Sequence, residues 1–166
     1  MIVFVIFLFV LLSSFVCGFV IGIQFERKSV EDSNKSSRLL EMYNTLHNDC
    51  LENDMDFSVF FKSRSAVIYG VRGKYGSDFF HIINDLSSID SLFLCDGNAK
   101  EFRTYREMYV YEKNEIVNEN FDYLVILPLN HYFEIRKEFI SLGVNSSKIC
   151  SLVDVILYLK LERANE

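Results

Sequence analysis

The stretch "AVIYGVRGKYGSDFF", Ala66–Phe80, decides the fold. Its first four residues, Ala66 to Tyr69, are apolar throughout, as a strand buried on both faces of a parallel sheet requires. Gly70, Gly73 and Gly76 follow at intervals of three, and Phe79, Ile82, Ile83 and Leu86 then recur at helical spacing. A strand, a glycine turn and a helix in that order form the unit whose backbone N–H groups meet a phosphate in a dinucleotide-type site. The spacing is G-x-x-G-x-x-G rather than G-x-G-x-x-G, closer to the epimerase and short-chain dehydrogenase style. Glycines also serve any tight strand-to-helix turn, so the motif alone leaves both readings open.

Its surroundings favour a ligand. Asp96 closes the next apolar run, "SLFLCD", 20 residues beyond Gly76, where a carboxylate can accept hydrogen bonds from ribose hydroxyls. Asp96-Gly97-Asn98 is equally good turn chemistry. Arg72 and Lys74 stand between the glycines, where they either crowd an approaching phosphate or pair with it. His131, with Tyr132, follows the strand Leu124–Leu127 and opens a helix at the carboxyl edge of the sheet, where ligands bind in this class of fold. The pair can contact a ligand or cap and staple the helix. The site expected from sequence is therefore Gly70, Arg72, Gly73, Gly76, Asp96 and His131, with a nucleotide-sugar or NAD(P) as candidate cofactor.

Catalytic groups are sparse. Tyr109 and Lys113 satisfy a Tyr-x-x-x-Lys pair, but they fall in strand-like sequence too soon after the glycines. No Gly-x-Ser-x-Gly elbow, Walker loop or His-Glu-x-x-His helix is present. His47 and His81 read as structural, since no second ligand stands at metal-binding spacing.

Outward from the glycine segment, strand and helix patterns alternate. "EMYVYE", "FDYLVILPLN" and "SKICSL" are strand candidates, while "HYFEIRKEFISLG" and "LVDVILYLKLE" are helical. Such alternation predicts an α/β fold, a Rossmann-like doubly wound parallel sheet over residues 63–162 with a tail at 163–166. A helical lead-in precedes it at residues 38–62, with Leu39, Leu40, Tyr43, Leu46, Cys50 and Leu51 on one face.

The N-terminus reads differently. No charge occurs from Ile2 to Ile23, and a helix of that length covers a hydrocarbon core of about 30 Å. Nothing basic precedes the run, and Ser14, Phe15 and Val16 fit a cleavage site poorly, so an uncleaved transmembrane helix over residues 1–24 is expected rather than a signal peptide. A polar linker at residues 25–37 carries Arg27, Lys28 and Lys35, which predicts a single-pass membrane protein with its domain on the cytoplasmic side.

Net charge is −6 and no basic stripe carries interleaved aromatics, which argues against nucleic acid as a partner. The four cysteines show no CxxC or Cys/His spacing and read as free thiols.

Together "VIYGVRGKYGSDFF", "LFLCDGN", "FDYLVILPLNHYFEIRKEFISLG" and "KICSLVDVILYL" resemble the Rossmann-like domains encoded with bacterial capsular and other surface-polysaccharide genes. The resemblance covers roughly Met55 to Leu161 and implies a nucleotide-sugar or related ligand at Gly70, Gly73, Gly76 and Asp96. It implies no chemistry, because the catalytic parts of those relatives have no counterpart here. The expected function is a membrane-tethered module that binds a nucleotide-sugar. Behind it stand a ligand-free scaffold for a glycosyltransferase or a second copy of the chain, and then a small nucleotide-dependent enzyme using Tyr109, Lys113 or His131.

Overall fold

The computed structural model describes residues 28, 30–48, 50, 52, 55–83, 89 and 91–164. The chain divides into two compact units, residues 1–35 and 36–166. In the first, residues 30–35 are helical although they fall in the stretch read as a linker. Lys35 pairs with Glu31 one turn earlier, a contact that supports a helix without an apolar face.

The second unit carries a six-stranded sheet. Residues 36–48 form α1, and Ser58–Phe61 form the single turn α2. Then come β1 (Ser65–Tyr69), α3 (Lys74–Ile82), β2 (Ser91–Cys95), β3 (Thr104–Tyr105) and β4 (Met108–Tyr111). The chain continues through α4 (Lys113–Ile116), β5 (Tyr123–Ile126), α5 (Tyr132–Ser141), β6 (Ile149–Ser151) and α6 (Leu152–Ala164). The strands lie in the order β3-β4-β2-β1-β5-β6. All neighbours are parallel except β3, which pairs antiparallel with β4 through Thr104–Tyr109 and Tyr105–Met108. Taken alone, the parallel strands follow the 3-2-1-4-5 order of a doubly wound sheet, whose order reverses between β1 and β5.

Strand periodicity sorts the core into two layers. Along β1, Ala66 and Ile68 face a layer containing Phe79 and Phe80 of α3 and Leu152, Val155, Ile156 and Leu159 of α6. Val67 and Tyr69 face the other layer, with Ile116 of α4 and Tyr132, Ile135 and Phe139 of α5. Burial on both sides explains why β1 and β5 are apolar at successive positions. The lead-in joins the first layer through Tyr43 of α1, whose hydroxyl donates to Asp78 Oδ2 at 3.0 Å and whose ring meets Tyr75 edge-on. At the start of α6, Ser151 N–H and Oγ–H both donate to Asp154 Oδ2, while Asp154 N–H donates back to Ser151 Oγ. This reciprocal cap satisfies orphan donors where β6 passes directly into the helix.

Two expectations change. The sheet is mixed rather than purely parallel, because the β2-to-β4 crossover holds the small strand β3. Its two-residue turn uses Arg106 (φ 50°) and Glu107 (φ 67°), neither of which is the Asn or Gly that announces such a hairpin. The membrane-spanning helix, and with it the single-pass, cytoplasmic-side placement, is also corrected. Among the described residues no helix is long and apolar enough to cross a membrane. The 13 residues of α6 reach only about 20 Å, and helical residues 30–48 carry Glu31, Asp32, Lys35 and Arg38. The segment assigned to the membrane, residues 1–24, lies outside the described residues, as does Leu86 of the expected α3 face.

Candidate functional site

The glycine turn stands at the carboxyl end of β1, next to the point where strand order reverses. Its three glycines answer three different constraints. Gly70 has φ 83°, and a Cβ there would lie 2.4 Å from Cγ of Pro128, two residues beyond the end of β5. Gly73, the N-cap of α3, has φ 116° and ψ −173°, a region essentially closed to residues with a side chain. Nothing lies within 4 Å of where its Cβ would be, so that position opens to space. Gly76 sits in the first turn of α3, where a Cβ would fall 1.9 Å from the Val71 carbonyl oxygen. Its absence of a side chain lets the first turn of the helix lie against the backbone of the glycine turn that follows β1.

No side chain caps α3 and no acidic residue occupies its first turn. Its N-terminal N–H groups therefore point into a region that suits an anion. Arg72 stacks on Phe102 with its guanidinium carbon 4.4 Å from the ring centroid, and its side chain is exposed.

Asp96 is buried, 8% exposed, at the carboxyl end of β2. Its Oδ1 accepts from Asn98 N–H at 2.9 Å, forming the turn its sequence suggested. Its Oδ2 receives the Arg72 N–H of the glycine turn at 3.5 Å, a long contact. One carboxylate thus spans the two loops, and it also borders a cavity of about 440 Å³. Lys100, Glu112, Lys113, Glu138 and Leu142 form much of the remaining lining.

Lys113 and Glu138 pair across this cavity, joining the start of α4 to α5. Burial pulls the Lys113 ammonium down, but Glu138 and the Tyr69 hydroxyl more than offset this and leave it above its ordinary value. The ammonium also lies 5.1 Å from the Tyr69 ring centroid. Burial raises the Tyr69 phenol, with Lys113 opposing. On the far side, Glu112 pairs with Arg103 at 2.7 Å and with Lys100 at 3.5 Å, and with Glu115 it forms a reciprocal cap on α4. The Glu115 carboxyl is held below the usual range by the Glu112 backbone N–H and by Arg103.

Of the residues expected from sequence, Gly70, Arg72, Gly73, Gly76 and Asp96 form one continuous corner. His131 does not line the cavity; it is 59% exposed and its Nδ1 lies 3.2 Å from Glu134 Oε2. Tyr132 turns into the core, where burial pushes its phenol up to about 12. Tyr109 accepts from Arg103 at 3.0 Å, whereas Lys113 serves Glu138, so the Tyr-x-x-x-Lys pair is divided between separate networks. His47 stacks on Tyr43 at 5.0 Å and its buried Nε2 has no hydrogen-bond partner. Among the described residues no group of three or more His, Cys, Asp or Glu side chains could hold a metal ion. Sequence reasoning missed the cavity, because Glu138 belongs to no motif and the spacing that singled out Lys113 pointed to Tyr109, whereas the fold pairs Lys113 with Glu138, 25 residues further along.

Cys95, beneath Asp96, and Cys150 of β6 are both pushed up to about 12, chiefly by burial and then by the nearby carboxylates Asp96 and Asp154. Raised thiols stabilise the fold fully below the unfolded-state value near 9 and lose that contribution as pH climbs toward 12. Iodoacetamide at pH 8 is therefore expected to leave both cysteines unmodified in the native protein and to alkylate both in urea, as read by peptide mass spectrometry. Native labelling at Cys95, which is fully buried, would contradict the described packing.

A family model described as C2185-like, N-terminal, matches residues 62–150, from the end of α2 into β6. No curated protein matches the chain.

Proposed function

The chain belongs to the C2185-like family, and for this member we propose the binding of a nucleotide, in particular a nucleotide-sugar, at the carboxyl edge of the sheet. The phosphates meet the N-terminus of α3 beside Gly73, and Asp96 accepts hydroxyls of the sugar ring that adjoins them. The observation that carries the reading is the Asp96 carboxylate, buried between the glycine turn and the cavity at the carboxyl edge of a doubly wound sheet. The resemblance to polysaccharide-associated domains supports a nucleotide-sugar over a plain dinucleotide. The reading assigns binding and no reaction, since the polar groups near Asp96 are engaged in one another's ion pairs and caps.

A second reading, a scaffold for a glycosyltransferase or for another copy of the chain, is favoured by Pro128. Its ring closes on Gly70 in the crevice where such ligands usually enter.

Thermal denaturation of the full chain with UDP-sugars, NAD(P) and CoA separates the two. A ligand at a hundred times its Kd should stabilise the fold by about 2.7 kcal/mol, a rise in Tm of roughly 5–10 °C. Gly73→Val and Asp96→Ala should each abolish the rise, measured against the variant's own Tm. Absence of any rise in the parent protein would leave the scaffold reading standing.

A further inference from the structure

The cavity beside Asp96 can receive either end of a nucleotide-sugar. If ribose lay on Asp96, as in dinucleotide folds, the base would fill the space beyond it. The lining opposes this, because a base needs a flat apolar slot and Leu142 is the one large aliphatic side chain among the lining residues.

It equally opposes a phosphate. Lys113 is paired with Glu138, and Lys100 with Glu112, so neither ammonium of the lining is left to balance a dianion. What the lining presents instead is an alternation of fixed donors and acceptors. The ammonium groups of Lys100 and Lys113 and the amide of Asn114 stand among the carboxylates of Asp96, Glu112 and Glu138. Hydroxyl groups both donate and accept, so a neutral polyol can join each ion pair without leaving a charge unbalanced. At about 440 Å³ the space falls within the range of small-molecule sites, roughly 300–1,000 Å³.

We propose that this cavity takes the polyhydroxylated group on the distal phosphate, the sugar of a nucleotide-sugar, with the Lys113–Glu138 pair as its specificity contact. The inference rests on the nucleotide-binding reading above and fixes the direction in which the ligand lies. Asp96 then serves the sugar rather than the ribose, and the nucleoside extends from the glycine turn away from the cavity.

Calorimetric titration of the full chain with matched pairs tests it: UDP and UDP-glucose, GDP and GDP-mannose, ADP and ADP-glucose. In at least one pair the sugar-bearing member should bind tenfold or more tightly than its diphosphate. Lys113→Met, and separately Glu138→Gln at a half-exposed position that folding tolerates, should bring that ratio down to about one. Equal affinities within every binding pair would overturn the proposal while sparing nucleotide binding. So would a ratio that survives in both variants. Failure of all six probes would overturn both readings together.

Discussion

Gly76→Ala is expected to destabilise the domain by about 3 kcal/mol or more, although it replaces a glycine in a helix with the best helix former. Propensity alone would favour the alanine by about 1 kcal/mol. Against it stands a Cβ 1.9 Å from the Val71 carbonyl oxygen and 2.6 Å from its carbon, both backbone atoms of the glycine turn that follows β1. A backbone carbonyl cannot rotate away as a side-chain tip can, so α3 must lift from the sheet and uncover Phe79 and Phe80. Steric cost wins, and the urea midpoint should fall by about 1–3 M. Gly73→Ala is the informative comparison, because nothing lies within 4 Å of its added Cβ and only the backbone at φ 116° resists it. It should cost about 1–3 kcal/mol through strain alone. If Gly76→Ala proves neutral or stabilising, the close approach of α3 to Val71 is wrong.

Phe79→Ala should cost about 3–5 kcal/mol, comparable with much of the stability of an ordinary domain. The ring is fully buried and meets Phe57 at 5.8 Å, Phe61 at 5.9 Å and Phe80 at 5.3 Å between centroids. Its removal opens a cavity shared by α3, α2 and the residue that precedes α2, so the lead-in should loosen with the sheet. Phe79→Leu, which keeps most of the volume, should lose no more than about 1.5 kcal/mol. Val59→Ala, at the exposed position of α2, should stay within about 0.5 kcal/mol. Equilibrium unfolding in urea reads all three, and a loss at Phe79→Ala no larger than at Val59→Ala would refute this account of the core.

These two expectations sit on the same helix as the proposed phosphate site, and that has a consequence for ligand experiments. Variants in α3 change stability and the geometry of its N-terminus together. Asp96, outside α3, is therefore the cleaner probe of binding, and a Gly73 variant is read only against its own unliganded state.

The central strands were legible in the chain because both-sided burial demands apolar residues at successive positions, which Ala66–Tyr69 and Leu124–Leu127 supply. The glycine turn and the start of α3 were legible for a similar reason, since few residues other than glycine tolerate those backbone angles. Asp96 was legible by position, at the carboxyl end of β2. Strand β3 was not, because two residues carry no period and Arg106-Glu107 lacks turn chemistry. The membrane assignment rested on hydropathy in a segment outside the described residues, and no described helix has the length and apolarity to take its place.

By itself, then, the sequence determined where the chain must be extended, where it must turn and which faces must be buried, all of which are local demands on backbone and solvent. Only the tertiary structure decided why Gly70 and Gly76 are needed, since the obstacle at Gly70 is a proline 58 residues away and the obstacle at Gly76 is the Val71 carbonyl, which the glycine turn folds back against the helix. It also decided that Lys113 meets Glu138 beside Asp96, because close packing brings together side chains whose charges leave no periodic trace in the sequence.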